Sequence, residues 1–174
     1  MGGRPGRGYN RRVVENSPLV TAEDEQWMRL ALAQAAQAAA LGEVPVGAVA
    51  VFQGQVIGAG FNRKECDQDP TAHAEMLAIR QAAARQQNWR LIDVTLYCTL
   101  EPCPMCAGAM IQARVRRLVY GAPDTKFGAD GSIVAVLREP RFNHQIEVTA
   151  GVLAGEAIAL MQTFFRQLRQ KGVE

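Results

Sequence analysis

"VTLYCTLEPCPMCAGAMIQAR", residues 94–114, decides the fold class. Its first seven residues alternate, with Val94, Leu96, Cys98 and Leu100 on one side and Thr95, Tyr97 and Thr99 on the other; a period of two predicts a strand. Glu101-Pro102 ends the pattern. "PMCAGAMIQAR" then predicts a helix that opens on Pro104, whose missing N–H would have no partner at a first helical position anyway. A strand that feeds directly into a helix points to an α/β architecture.

The same alternation continues in both directions. "VRRLVYGA" predicts a strand after the helix, and "HAEMLAIRQAAARQQ", from His73, predicts a helix before the strand. Further upstream, "VPVGAVAVF" and "VIGAGFN" read as two strands around a tight turn at Gly54, with Asn62 ending the second. "RKECDQDPT" reads as a polar loop. "EQWMRLALAQAAQAAALG" reads as a helix capped by Thr21, favoured by Glu23, Asp24 and Glu25 at its positive end and stopped by Gly42. Its Trp27, Leu30 and Leu41 read as core-facing. Downstream come a polar, Gly-rich loop "PDTKFGADGS", a short apolar segment at 133–137, a last strand in "QIEVTAG" and an amphipathic helix "GEAIALMQTFFRQLRQKG". The expectation is one mixed sheet covered by helices on both faces, in one domain over residues 21–174. Residues 1–20 are Gly/Arg-rich with prolines at 5 and 18, and read as a disordered basic tail.

Composition narrows the function classes. The net charge is +2, but Arg4, Arg7, Arg11 and Arg12 all lie in the tail. Without them 15 basic side chains face 17 acidic ones. Bulk charge therefore makes no case for nucleic acid, and an RNA site must come from local clusters such as Arg114-Arg116-Arg117, Arg138 with Arg141, or Arg166-Arg169-Lys171. No stretch has the roughly 20 apolar residues of a membrane span, and the basic N-terminus lacks the apolar core of a secretory signal. The expectation is a cytoplasmic protein whose four cysteines are thiols or metal ligands rather than disulfides.

Two separated pieces carry the chemistry. Cys103 and Cys106, three apart at a helix start, put both sulfurs on one face beside the positive end of the helix dipole, which favours the thiolates a metal needs. Thirty residues earlier His73 also opens a helix. In an α/β sheet, the ends of adjacent strands deliver the following helix starts into one crevice, where His73, Cys103 and Cys106 can meet. One imidazole and two thiolates suit zinc, with the fourth position left to water in a catalytic site. Glu75, two residues from His73, is placed to shuttle protons without binding the metal. A closed structural site would need Cys98 to face the metal, yet Cys98 shares its parity with the core positions of its strand. Cys66, in the polar loop, remains free to approach.

The pair H-x-E and P-C-x-x-C is recognised as the signature of zinc nucleobase deaminases, a class that includes adenosine deaminases acting on tRNA. Beyond the motif, the chain closely resembles the bacterial tRNA-specific adenosine deaminases of the cytidine/deoxycytidylate deaminase superfamily. The resemblance runs from about Glu25 to Arg169 through "EVPVGAV", "FNR", "DPTAHAEM", "NWRLIDVTLYCTLEPCPMCAGAMI", "RLVYGAPDTKFGADGS", "NH" and "FFR". It implies a three-layer α/β/α cytidine-deaminase-like fold with a five-stranded mixed sheet between helices. It also implies a homodimer, one zinc ion per subunit, and hydrolytic conversion of adenosine to inosine at the wobble position of a tRNA anticodon, arginine tRNA being the expected substrate. Carried over, His73, Cys103 and Cys106 bind zinc and Glu75 moves the proton. Asn62 hydrogen-bonds the flipped base, Asp124 and Lys126 lie near the RNA backbone, and Phe164, Phe165 and Arg166 approach the anticodon loop. Plainer readings stand beside these: Asn62 ends a strand, Asp124 makes a turn after Pro123, and Phe164 and Phe165 are core. The chain departs from the family pattern at Cys98, where an apolar residue is expected, and in "RKECDQ", which lacks a proline after "NR". Guanine deaminases share the zinc motif and are the alternative enzyme reading. A non-catalytic zinc-stabilised RNA-binding module is the alternative of another class, and it has no use for Glu75.

Overall fold

The structure, a computed structural model, describes residues 20–170 and Gly172; residues 1–19 of the expected tail and Lys171 of the last basic cluster lie outside the described residues. Five strands form one sheet: β1 (Gly47–Phe52), β2 (Gln55–Phe61), β3 (Thr95–Leu100), β4 (Arg117–Ala122) and β5 (Glu147–Ala150). Their order is β2-β1-β3-β4-β5. β1 is antiparallel to both β2 and β3, while β3, β4 and β5 run parallel, with Ala48 opposite Cys98 and Leu96 opposite Leu118. The sheet is mixed, as expected. The turn between β1 and β2 places Gln53 and Gly54 both at positive φ, the geometry that suits a two-residue hairpin and that glycine adopts without strain.

Strand alternation builds two cores. Ala48, Ala50, Leu96, Cys98, Leu118 and Tyr120 face one side of the sheet. They pack under α3 (Ala74–Gln86) and α4 (Pro104–Gln112), against Ala74, Ala78, Ala82, Cys106 and Met110. Val49, Val51, Tyr97 and Val119 face the other side, where α1 (Ala22–Ala40) contributes Met28 and Ala31. α5 (Ala154–Gln170) packs on β4 and against α1. Each fully buried Leu or Met contributes roughly 1.5–3 kcal/mol of transfer free energy. The outcome is the three-layer α/β/α fold.

Helix α1 corrects one expectation. Its buried stripe is Asp24, Met28, Ala31, Ala35 and Ala38, and half-buried Trp27 packs against the core beside it as expected, while Leu30 and Leu41 are exposed. Alanine wins the inward positions because it lets the helix backbone settle on the sheet. A Cβ on Gly47 would come within 2.1 Å of the Ala31 carbonyl oxygen. α1 begins with a capping box, Thr21 and Asp24 each accepting from the other's backbone N–H. Asp24 also takes two hydrogen bonds from Arg117 at 2.8 and 3.0 Å and one from the Tyr97 hydroxyl at 3.0 Å. Arg117 is thereby spent inside the fold. Arg138 is paired with Asp130, and Arg141 with Glu139. The Arg138 and Arg141 pair considered for RNA is therefore engaged in ion pairs, as is Arg117 of the Arg114-Arg116-Arg117 cluster.

The expected loop "RKECDQDPT" contains one helical turn, α2 (Lys64–Asp67), closed by an Arg63–Asp67 ion pair at 2.6 Å and ended by Gln68 in the left-handed conformation. The apolar segment at 133–137 forms only a 3₁₀ turn at Val136–Arg138. Glycines 58 and 60 on β2 let α3 lie directly on the strand. A Cβ there would meet the Ala78 and Ala74 carbonyls at 2.2 and 2.6 Å. This contact sets the position at which α3 starts.

Candidate active site

β2 runs in the same direction as β3 and β4, since β1 lies antiparallel between β2 and β3. The segments leaving β2 and β3 therefore emerge at one edge of the sheet and lead to the starts of α3 and α4. Contrary to the expectation of adjacent strands, β2 and β3 are separated by β1, and because β1 is reversed the two still point to the same edge. His73 and Cys103 are the N-cap residues of α3 and α4. Both have extended backbone, and neither side chain caps its own helix. They turn toward each other instead. Cys106, on the first turn of α4 after Pro104, joins them.

The His73 Nδ1 atom lies 3.7 Å from the Cys103 sulfur and 3.5 Å from the Cys106 sulfur, and the three ligand atoms lie within 4.8 Å of one another. A tetrahedral ion with bonds of about 2.0 Å to nitrogen and about 2.3 Å to sulfur spans an N···S edge of roughly 3.5 Å. The donor set and its spacing therefore fit a metal ion. Cys98 is buried in the core beneath α3 and α4, and neither it nor Cys66 belongs to the group.

The electrostatics suit a cation. A hydrogen bond from the Cys106 thiol holds the Cys103 thiol down at about 4, against its burial. The same bridged proton, with burial, pushes the Cys106 thiol up. A metal bound by both sulfurs would displace the proton they share. The Cys103 sulfur raises the His73 imidazole, with burial acting the other way. Glu75 sits in the first turn of α3, almost wholly buried, and burial pushes its carboxyl up.

His73, Glu75 and Cys103 border a cavity of about 450 Å³, walled also by Asn62, Glu101, Asp124 and Phe127, with Cys106 buried behind it. Asn62 is buried, and its Nδ2 donates to Glu43 Oε2 at 3.0 Å. Asp124 Oδ1 accepts from the backbone N–H groups of Lys126 and Phe127, so the turn reading holds while the residue still lines the cavity. A second groove, of about 590 Å³, gathers Lys126 from the Gly-rich loop with Phe165, Arg166 and Arg169 of α5. Phe164 is buried and meets Phe165 edge-to-face at 5.3 Å, so its ring belongs to the core and Phe165 faces the groove. His144 donates from Nε2 to the Val115 carbonyl at 2.8 Å, far from the cysteines in role.

Sequence reasoning passed over two buried carboxylates. Glu43 accepts from Asn62 and from the Cys66 backbone N–H at 2.7 Å. Glu101 accepts from the backbone N–H groups of Asp124, Asp130 and Ser132 and from the Ser132 hydroxyl. An acid wedged between an apolar strand and Pro102, followed by a Gly-rich loop full of free N–H groups, was the available signal for Glu101.

The class follows from fold and site together. A family model described as MafB19-like deaminase matches residues 22–169. Proteins called tRNA-specific adenosine deaminase are 48% identical in Bacillus subtilis, over 86% of this chain and 92% of that one, and 50% identical in Haemophilus influenzae, over 85% and 86%. The chain belongs to this deaminase family, among the tRNA-specific adenosine deaminases. A solved structure from studies of A-to-I editing by tRNA:A34 deaminases at the wobble position of transfer RNA superposes with a TM-score of 0.75 at 44% identity, covering 78% of this chain and 98% of that one. A guanine deaminase from Nitrosomonas europaea gives a TM-score of 0.69 at 28% identity, covering 94% and 97%. Among the described residues, no helix is long and apolar enough to cross a membrane.

Proposed function

We propose that this chain hydrolytically deaminates adenosine to inosine at the wobble position of a tRNA anticodon. The observation that carries the reading is the buried Glu75 beside His73, Cys103 and Cys106 at the wall of a ligand-sized cavity, in a chain about half identical to tRNA-specific adenosine deaminases.

His73, Cys103 and Cys106 hold the metal, which is zinc, one per subunit. Zinc held by three such ligands supplies Lewis-acid activation of water near neutral pH. Glu75 takes the proton of the attacking water and delivers it to the adenine ring. Once C6 is tetrahedral, Glu75 takes the second proton of the water, now on the C6 hydroxyl, and passes it to the amine as the C–N bond breaks, so that ammonia leaves and inosine results. Asn62, fixed by Glu43, hydrogen-bonds the base in the cavity. A base in a single-stranded loop can be splayed into such a cavity without opening a duplex. Asp124 sits at the cavity wall near the RNA backbone. Lys126 and Arg166 neutralise phosphates along the second groove, with Phe165 between them; Phe164 supports that helix from within. Residues 21–174 act as one domain, the protein works in the cytoplasm as a homodimer, and arginine tRNA is the substrate.

Nucleoside chromatography tests this. Metal-loaded protein is incubated with an arginine tRNA transcript carrying wobble adenosine and, in parallel, with free guanine and free adenosine. Inosine at the wobble position, lost with Glu75→Ala, is the expected result. Xanthine and ammonia from guanine with the tRNA untouched would transfer the chain to the guanine deaminases. Turnover retained by a metal-loaded Glu75→Ala protein would remove the proton-shuttle role.

A further inference from the structure

At 65% exposure, Phe127 is the most exposed large apolar side chain among the described residues, yet it lines the wall of the Glu75 cavity. A lone exposed apolar residue needs no explanation; one held rigidly at a cavity mouth does. The loop that carries it, residues 123–132, is clamped from beneath. Glu101, 2% exposed, accepts the backbone N–H of Asp124 at 3.1 Å, of Asp130 at 2.8 Å and of Ser132 at 3.3 Å, as well as the Ser132 hydroxyl. The residue after Phe127 sits so tightly on this carboxylate that a Cβ on Gly128 would meet Glu101 Cδ at 2.5 Å. Asp124 Oδ1 holds the Phe127 backbone N–H at 3.1 Å, and Ala129 donates to the Pro102 carbonyl at 2.9 Å. The far side of the loop is pinned by Arg138 to Asp130 at 2.6 and 2.8 Å. The adjacent Lys126 opens onto the groove lined by Arg166 and Arg169. An aromatic face beside a run of cations is the arrangement that binds single-stranded nucleic acid, the cations following phosphates and the ring stacking a base.

We propose that Phe127, presented at the cavity mouth by the Glu101 clamp, is a stacking platform for the nucleobase next to the one that enters the cavity. The inference rests on the RNA reading above and adds a contact to it. The ring has no hydrogen-bonding edge, so it favours a purine or pyrimidine by stacking area and leaves base identity to other groups.

The test is a double-mutant cycle between protein and RNA. Wild type, Phe127→Ala and Phe127→Trp act on an anticodon stem-loop, intact or with an abasic nucleotide on the 5′ or the 3′ side of the reactive adenosine. Phe127→Ala is expected to lower kcat/KM roughly ten-fold, as stacking on one base implies, and Phe127→Trp to restore it. The abasic substitution on one side should cost wild type a similar factor and cost Phe127→Ala almost nothing, because the two changes remove the same contact. Unchanged kcat/KM in Phe127→Ala, or losses that multiply on both sides, overturns the proposal. Multiplied losses with a shift to monomer in light scattering assign the ring instead to a second copy of this chain. If wild type leaves the intact stem-loop untouched, the RNA reading itself has failed and this contact with it, an outcome distinct from failure at Phe127 alone.

Discussion

The start of helix α1 and the starts of α3 and α4 use the same feature in opposite ways. α1 opens on Thr21, which caps the helix, with Asp24 returning the bond and binding Arg117 below the surface. α3 and α4 open on His73 and Cys103, which cap nothing. A capping side chain is typically worth about 1 kcal/mol, and the two helices at the candidate site forgo it, their first side chains meeting across the sheet edge instead. The positive end of a helix serves stability at one place and ligand chemistry at the other.

The comparison can be broken most severely at the uncapped helices. His73→Ala should empty the metal group and take turnover below detection, with metal content read by elemental analysis of the dialysed protein. Full metal occupancy in this variant would mean that the imidazole is not a ligand. Glu75→Gln should keep its metal and lose roughly 100- to 10,000-fold in kcat, the usual span for a positioned proton-transfer group, measured by single-turnover kinetics on tRNA.

At the capped helix the effect moves to stability. Asp24→Asn leaves Arg117 with a weakened partner and should cost about 3 kcal/mol in urea unfolding at neutral pH. Burial opposes ionisation of Asp24, but Arg117 and the Thr21 bonds outweigh it and hold the carboxyl below its ordinary value. A group depressed in the folded state stabilises above its unfolded pKa, near 4, and that contribution disappears as pH falls through the folded value. The gap between wild type and Asp24→Asn should therefore be widest above about pH 4 and close below it; a gap that grew on acidification would rule out the ionised carboxylate as its source.

The smallest effects sharpen the comparison most. Thr21→Ala should lower stability by about 1 kcal/mol. Cys103→Ser should do the reverse in the metal-free protein, raising stability by a few tenths to about 1 kcal/mol as the new hydroxyl caps α4, while metal affinity falls. Equal destabilisation by both substitutions, compared in chelator, would show that Cys103 already supports its helix.

Much of this was legible beforehand. Local periodicity and turn chemistry carried β3, the hairpin at Gly54, the Thr21 cap and the Pro104 helix start, because each depends on neighbours within a few residues. The Leu30 and Leu41 error came from ranking side chains by size. In α1 the sheet selects alanine, since the close approach at Gly47 leaves no room for leucine.

By itself, then, the sequence determined the element types, the α/β class and the residues able to bind a metal, since those follow from composition and short spacing. Only the tertiary structure decided what those residues meet. β1 separates the two strands that lead to the site. Glu43 turns inward to Asn62, Glu101 turns inward to a loop more than twenty residues away, and Arg117 folds onto Asp24 instead of facing solvent. The reason is physical. A buried charge must find partners wherever the packed chain brings them, and sequence distance carries no record of where that is.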